Sequence, residues 1–64
     1  MTYYTLLIKY EDKWFIEFGD YDRQVVEEEA EEFSHRLEQK IITTSDSQRE
    51  IDRVVNELNN ITKG

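Results

Sequence analysis

Residues 22–39 read DRQVVEEEAEEFSHRLEQ, and the folding of this stretch decides how the rest of the chain is arranged. Val26, Ala30, Phe33 and Leu37 recur at spacings of four, three and four, the period that aligns side chains on one face of a 3.6-residue turn. The stretch is expected to form one amphipathic helix with that face buried. Glu28, Glu31, Glu32, His35 and Glu38 fall on the opposite side, with Glu27 and Glu29 on the flanks. The solvent side of the helix is therefore almost all carboxylate.

Asp22 precedes the periodic run and is the expected N-cap, with Tyr21 and Val26 placed for a hydrophobic staple and Asp20 as the competing cap. Upstream, YYTLLIKY at 3–10 and WFIEF at 14–18 alternate with β-branched and aromatic residues, separated by the charged Glu11, Asp12 and Lys13. They read as a β-hairpin. Gly19 then suits a positive φ where the chain leaves the second strand. Downstream, KIITT at 40–44 reads as a third strand. Ser47 and Glu50 have capping-box spacing, and Ile51, Val54, Val55, Leu58 and Ile61 mark a second amphipathic helix to about Asn59 or Asn60. An Arg53–Glu57 pair at i, i+4 is expected on its outer face.

The expected fold is a single α/β (α+β) domain over residues 1–64. It is a two-layer ββαβα sandwich with a three-stranded antiparallel sheet in the order 2-1-3. Both helices are expected on the face carrying Tyr4, Leu6, Ile8, Trp14 and Ile16. Tyr3, Leu7 and Phe15 would then remain on an open face suited to contact with a partner or a second copy.

With 64 residues, the chain has room for one small core, near the lower limit for folding without disulfides or metal. It contains no cysteine, so disulfide frameworks and thiolate metal sites are excluded. Its apolar runs are too short for a membrane span of ~20 residues. A soluble, intracellular protein is expected. Fifteen acids against eight bases give a formal net charge of −7, a surface that nucleic acid repels, because nucleic-acid binding rests on Lys and Arg replacing phosphate counterions. The 38% hydrophobic content, arranged in regular periods, speaks for a folded domain rather than disorder.

No nucleophile motif and no phosphate-binding glycine loop is present, and there are only two glycines. Asp20 and Asp22 are accounted for by capping, and no catalysis is expected. Glu32-x-x-His35 matches half of a di-metal carboxylate motif, which requires inward-facing ligands from several helices. Both residues are expected to face water, so neither metal nor cofactor is expected.

The segment IEFGDYDR at 16–23, with the YYTLLIKY opening and the closing IITTSDSQREIDRVVNELN, resembles a group of small uncharacterised proteins encoded by phages and prophages. The resemblance implies a small protein acting in the cytoplasm of a bacterial host, and it favours an inhibitor of a nucleic-acid-handling machine. On this reading Glu27, Glu28, Glu31, Glu32 and Glu38 imitate a phosphate backbone and dock on a basic, nucleic-acid-binding protein, such as one serving CRISPR or restriction defence. The protein itself would be a monomer or weak homodimer. The alternative is a homo-oligomerising accessory module that uses the sheet face of Tyr3, Leu7 and Phe15.

Overall fold

The computed structural model describes residues 1–33 and 36–63, the side chains of Thr62 and Lys63 excepted. Along the chain run β1 (Thr2–Tyr10), β2 (Lys13–Asp20), α1 (Arg23–Glu32), β3 (Glu38–Ser45) and α2 (Gln48–Lys63). The order is ββαβα, and the strands form one antiparallel sheet in the order β2-β1-β3, as the sequence led us to expect.

Tyr10 pairs with Lys13, so Glu11 and Asp12 alone make the hairpin turn. Both have positive φ, 51° and 65°, the combination whose twist suits two-residue hairpins. Gly19 does not have positive φ and lies within β2. Its lack of a side chain serves packing instead, since a Cβ there would stand 2.5 Å from the Tyr3 hydroxyl oxygen. The Tyr3 ring fills that space and meets Tyr21 edge-on, with centroids 4.9 Å apart.

A bulge decides which face each residue of β2 joins. Trp14 pairs with Lys9 and Ile16 with Leu7, after which the register skips Glu17 and Phe18 pairs with Leu6. Phe18 therefore points opposite to Trp14 and Ile16, although the three alternate in the sequence. Across β1 and β3, Thr5 pairs with Ile42 and Leu6 with Ile41. One face thus carries Thr5, Leu7, Trp14 and Ile42, and the other carries Tyr4, Leu6, Ile8, Phe15, Phe18 and Ile41.

The helices lie on opposite faces, which corrects the expectation of two layers. Val54, Val55 and Leu58 of α2 pack on the cluster of Leu7, Trp14 and Ile42. On the other side, Arg23 of α1 stands 5.9 Å from the Tyr4 ring centroid, and the Gln39 side chain donates to the Ala30 carbonyl at 3.0 Å. Leu6, Leu7 and Val26 are fully buried. The physical reason is the β1 sequence: Leu6 and Leu7 are adjacent and point to opposite faces, so each needs its own cover. The layers run α1, sheet, α2.

The first helix is also shorter than its periodicity predicts. It ends at Glu32, and Phe33 caps it in an extended conformation with its N–H directed to the carbonyls of Glu29 and Ala30. Glu38 and Gln39 pair with Lys9 and Ile8 of β1. Backbone pairing along a nine-residue β1 outweighs the helix propensity of Leu37, Glu38 and Gln39, which is favourable but amounts to only a few tenths of a kcal/mol per residue. Leu37 is accordingly outside the helix. The second helix runs past Asn60 to Lys63, and its Ile61 is 76% exposed rather than part of the buried face.

Candidate functional site: the carboxylate face of α1

The corner leading into α1 is built from local hydrogen bonds. Asp20 accepts from the Asp22 N–H at 2.8 Å, and Asp22, the N-cap, accepts from the Gln24 N–H at 2.9 Å. The two candidate caps therefore act in series, each satisfying a different backbone donor. Tyr21 donates its hydroxyl to Asp46 at 3.1 Å, tying the corner to the loop before α2. That hydrogen bond and the adjacent carboxylate charge raise the Tyr21 pKa above its ordinary 10.0.

From this corner the helix presents Glu27, Glu28, Glu29, Glu31 and Glu32. Glu27 pairs with Arg23 at 3.2 Å, with both side chains more than half exposed, so the pair contributes little to stability. Glu28, Glu31 and Glu32 are exposed and Glu29 is half-buried. Together with Val25 the last four line a shallow depression. Val25 is 37% exposed, an apolar contact point among carboxylates. Its place beside the buried Val26 in the sequence was the available signal for it, since neighbours on a helix diverge by about 100°.

Glu38 does not belong to this face. It opens β3, where its backbone pairs with Lys9. Tyr3, Leu7 and Phe15 do not share an open face either. Leu7 is fully buried beneath α2, and Tyr3 is half-buried against Gly19 and Tyr21. Phe15 pairs with Ile8 on the α1 side of the sheet and is 48% exposed. With both faces covered by helices, the surface assumed for face-to-face oligomerisation does not exist.

At the far side of the sheet, Glu50 accepts from both the Ser45 hydroxyl at 2.7 Å and the Ser45 N–H at 3.3 Å. The expected reciprocal box with Ser47 is thus replaced by a clasp on the end of β3. These hydrogen bonds lower the Glu50 pKa below its ordinary 4.5, against an opposing contribution from burial. The Arg53–Glu57 pair forms at 3.1 Å.

Among the described residues no group of three or more His, Cys, Asp or Glu side chains is placed to hold a metal ion. His35 lies outside the described residues. Among them, too, no helix is long and apolar enough to cross a membrane. The face can offer charge and shape to a partner. No protein-family model matches the chain, and no curated protein or solved structure matches it.

Proposed function

We propose that the chain is a small acidic binding protein whose α1 face docks on a basic protein surface that otherwise holds nucleic acid. The observation that carries this reading is charge density. Five carboxylates project from a ten-residue helix about 15 Å long, or roughly one charge per 3 Å of axis. One strand of duplex DNA carries one charge per ~3.4 Å. The spacing fits a single backbone strand rather than the full duplex.

The arrangement also works against local stability. Glu28 and Glu32 are a like-charge i, i+4 pair on an exposed surface, mildly destabilising in a helix. A partner with facing Arg and Lys would offset that repulsion. Opposite potentials would also speed encounter, in a manner that salt weakens. The target best suited to such a protein is a DNA-directed defence protein of the host, such as a CRISPR or restriction component.

The test is affinity capture from bacterial lysate at low and high salt, with the wild type beside a Glu28→Lys, Glu31→Lys, Glu32→Lys variant. The expected capture is a nucleic-acid-binding protein that is released by salt, displaced by added DNA and lost with the variant. Because Glu28, Glu31 and Glu32 are all exposed, the variant is expected to remain folded by circular dichroism. Identical captures with both proteins would refute the proposal.

A further inference from the structure

The two outer strands of the sheet are treated differently by the fold. On β2, the Trp14 N–H donates to Asn59 Oδ1 at 2.7 Å and the Trp14 carbonyl accepts from Asn59 Nδ2 at 3.4 Å. Both backbone groups of Trp14 therefore point away from β1. Three residues on, the skipped Glu17 breaks the register, so the outward groups of this edge no longer repeat every second residue. The β2 edge is thus closed at one point and irregular beyond it, two devices that prevent strand addition.

The β3 edge has the opposite character. Since the Trp14 groups point outward, those of its partner Lys9 point toward β3, and alternation sends Leu7, Thr5 and Tyr3 the same way. Their partners Glu38, Lys40, Ile42 and Thr44 face inward. Gln39, Ile41, Thr43 and Ser45 present their N–H and C=O groups outward. The Ser45 N–H is taken by Glu50 at 3.3 Å, which confirms the alternation and closes that end. Gln39, Ile41 and Thr43 remain as a regular, open ladder.

We propose that this edge pairs with the same edge of a second copy, antiparallel about a twofold axis at Ile41, to make a continuous six-stranded sheet. In that register Gln39 meets Thr43 of the second copy, Ile41 meets Ile41, and Thr43 meets Gln39, and each pair exchanges two hydrogen bonds. Between them Lys40 stands opposite Ile42, and Glu38 opposite Thr44. Sliding one way by two residues would set Lys40 directly against Lys40, and sliding the other way would set Glu38 against Asp46. The centred register alone uses all three outward residues with no like charges opposed.

Charge also favours this edge for the meeting of two chains of net charge −7. Arg23 and Ala30 line the cleft between α1 and β3 together with Leu6, Gln39, Lys40 and Ile41. Glu28 and Glu32 lie across the helix axis from Arg23 and Ala30, so pairing at β3 leaves the two carboxylate faces on the outer flanks. The dimer therefore strengthens as salt screens the remaining repulsion, the reverse of the salt response of a basic partner on α1.

The test is amide hydrogen exchange by NMR on the wild type, with sedimentation at the same concentrations. Between ~20 µM and ~1 mM, exchange at Gln39, Ile41 and Thr43 is expected to slow by about tenfold or more as dimer appears, with Ile16 unchanged and the effect larger at high salt. Thr43→Pro serves as the second arm. The Thr43 N–H points outward and its side chain is exposed, a position at which an edge strand tolerates proline. That variant should stay monomeric at ~1 mM and lose the protection at Gln39 and Ile41. A wild type that is monomeric at ~1 mM with unchanged exchange, or a dimer protecting other amides instead, overturns the proposal.

Discussion

The side-chain amide of Asn59 bridges both backbone polar groups of Trp14, with 2.7 Å from Oδ1 to the amide nitrogen and 3.4 Å from Nδ2 to the carbonyl oxygen. The residues are 45 apart in sequence, and the contact fastens the C-terminal half of α2 to the outer edge of β2. Glu50 does the same at the other end of the helix, on Ser45 of β3. The helix is thereby strapped across the sheet at two corners. Removing the amide leaves a part-buried N–H without its acceptor, so Asn59→Ala is expected to cost about 1 to 3 kcal/mol. Urea denaturation measures this, with exposed Asn60→Ala as the control expected to fall within about 0.5 kcal/mol of the wild type.

The hairpin turn is predicted to be suboptimal. Glu11 and Asp12 hold φ of 51° and 65°, a region that costs L-residues other than Gly, Asn and Asp roughly 1 kcal/mol or more. Replacing Glu11-Asp12 by Asn-Gly should therefore stabilise the protein by about 1 to 2 kcal/mol without changing its register. A thermal or urea midpoint that falls instead would show that the charged turn makes a contact that the geometry does not explain.

Gly19 and Tyr3 should be coupled. Because Gly19 is not left-handed, alanine there suffers no backbone strain, and the entropy lost by the unfolded chain favours it by about 0.4 to 1 kcal/mol. In the wild type that gain is opposed by displacement of the Tyr3 ring from its place against Tyr21. We expect Gly19→Ala to be neutral or destabilising in the wild type and stabilising in a Tyr3→Ala background. A double-mutant cycle reads the change of sign, and equal effects in both backgrounds would contradict it.

Stability should fall in acid partly through Glu50. Ser45 hydrogen bonds hold its folded pKa below the ordinary 4.5. A carboxyl depressed on folding contributes stability that is fully present above its unfolded pKa and is lost as pH falls through its folded pKa. Wild type and Glu50→Gln should therefore differ most at neutral pH and converge below the ordinary carboxylate range. Parallel denaturation curves across pH for the two proteins check this.

Element order was legible because it rests on local periodicity, whereas the strand order 2-1-3 was an expectation from the crossover connection through α1, which the structure bears out. YYTLLIKY and WFIEF alternate as strands do, and Ile51, Val54, Val55 and Leu58 keep a helical period that the structure retains. The carboxylates from Glu27 to Glu32 were likewise placed on an exposed helix by pattern alone. The missing glycine or proline after Phe33, by contrast, left no punctuation to end α1, and the period through Leu37 pointed past its true end.

What the amino-acid order alone determined is therefore the identity of the elements and the density of negative charge on α1, since both depend on neighbours within one or two turns. Tertiary structure decided where α1 stops, because Glu38 and Gln39 gain more from the ladder of β1 than from another helical turn. It decided too that the helices sit on opposite faces. The bulge at Glu17 and the adjacent Leu6 and Leu7 send apolar groups to both sides of the sheet, and two buried faces need two covers. Last, it decided that Asn59 closes the β2 edge while β3 stays open along Gln39, Ile41 and Thr43, because which backbone groups face outward is set by strand pairing across the whole sheet.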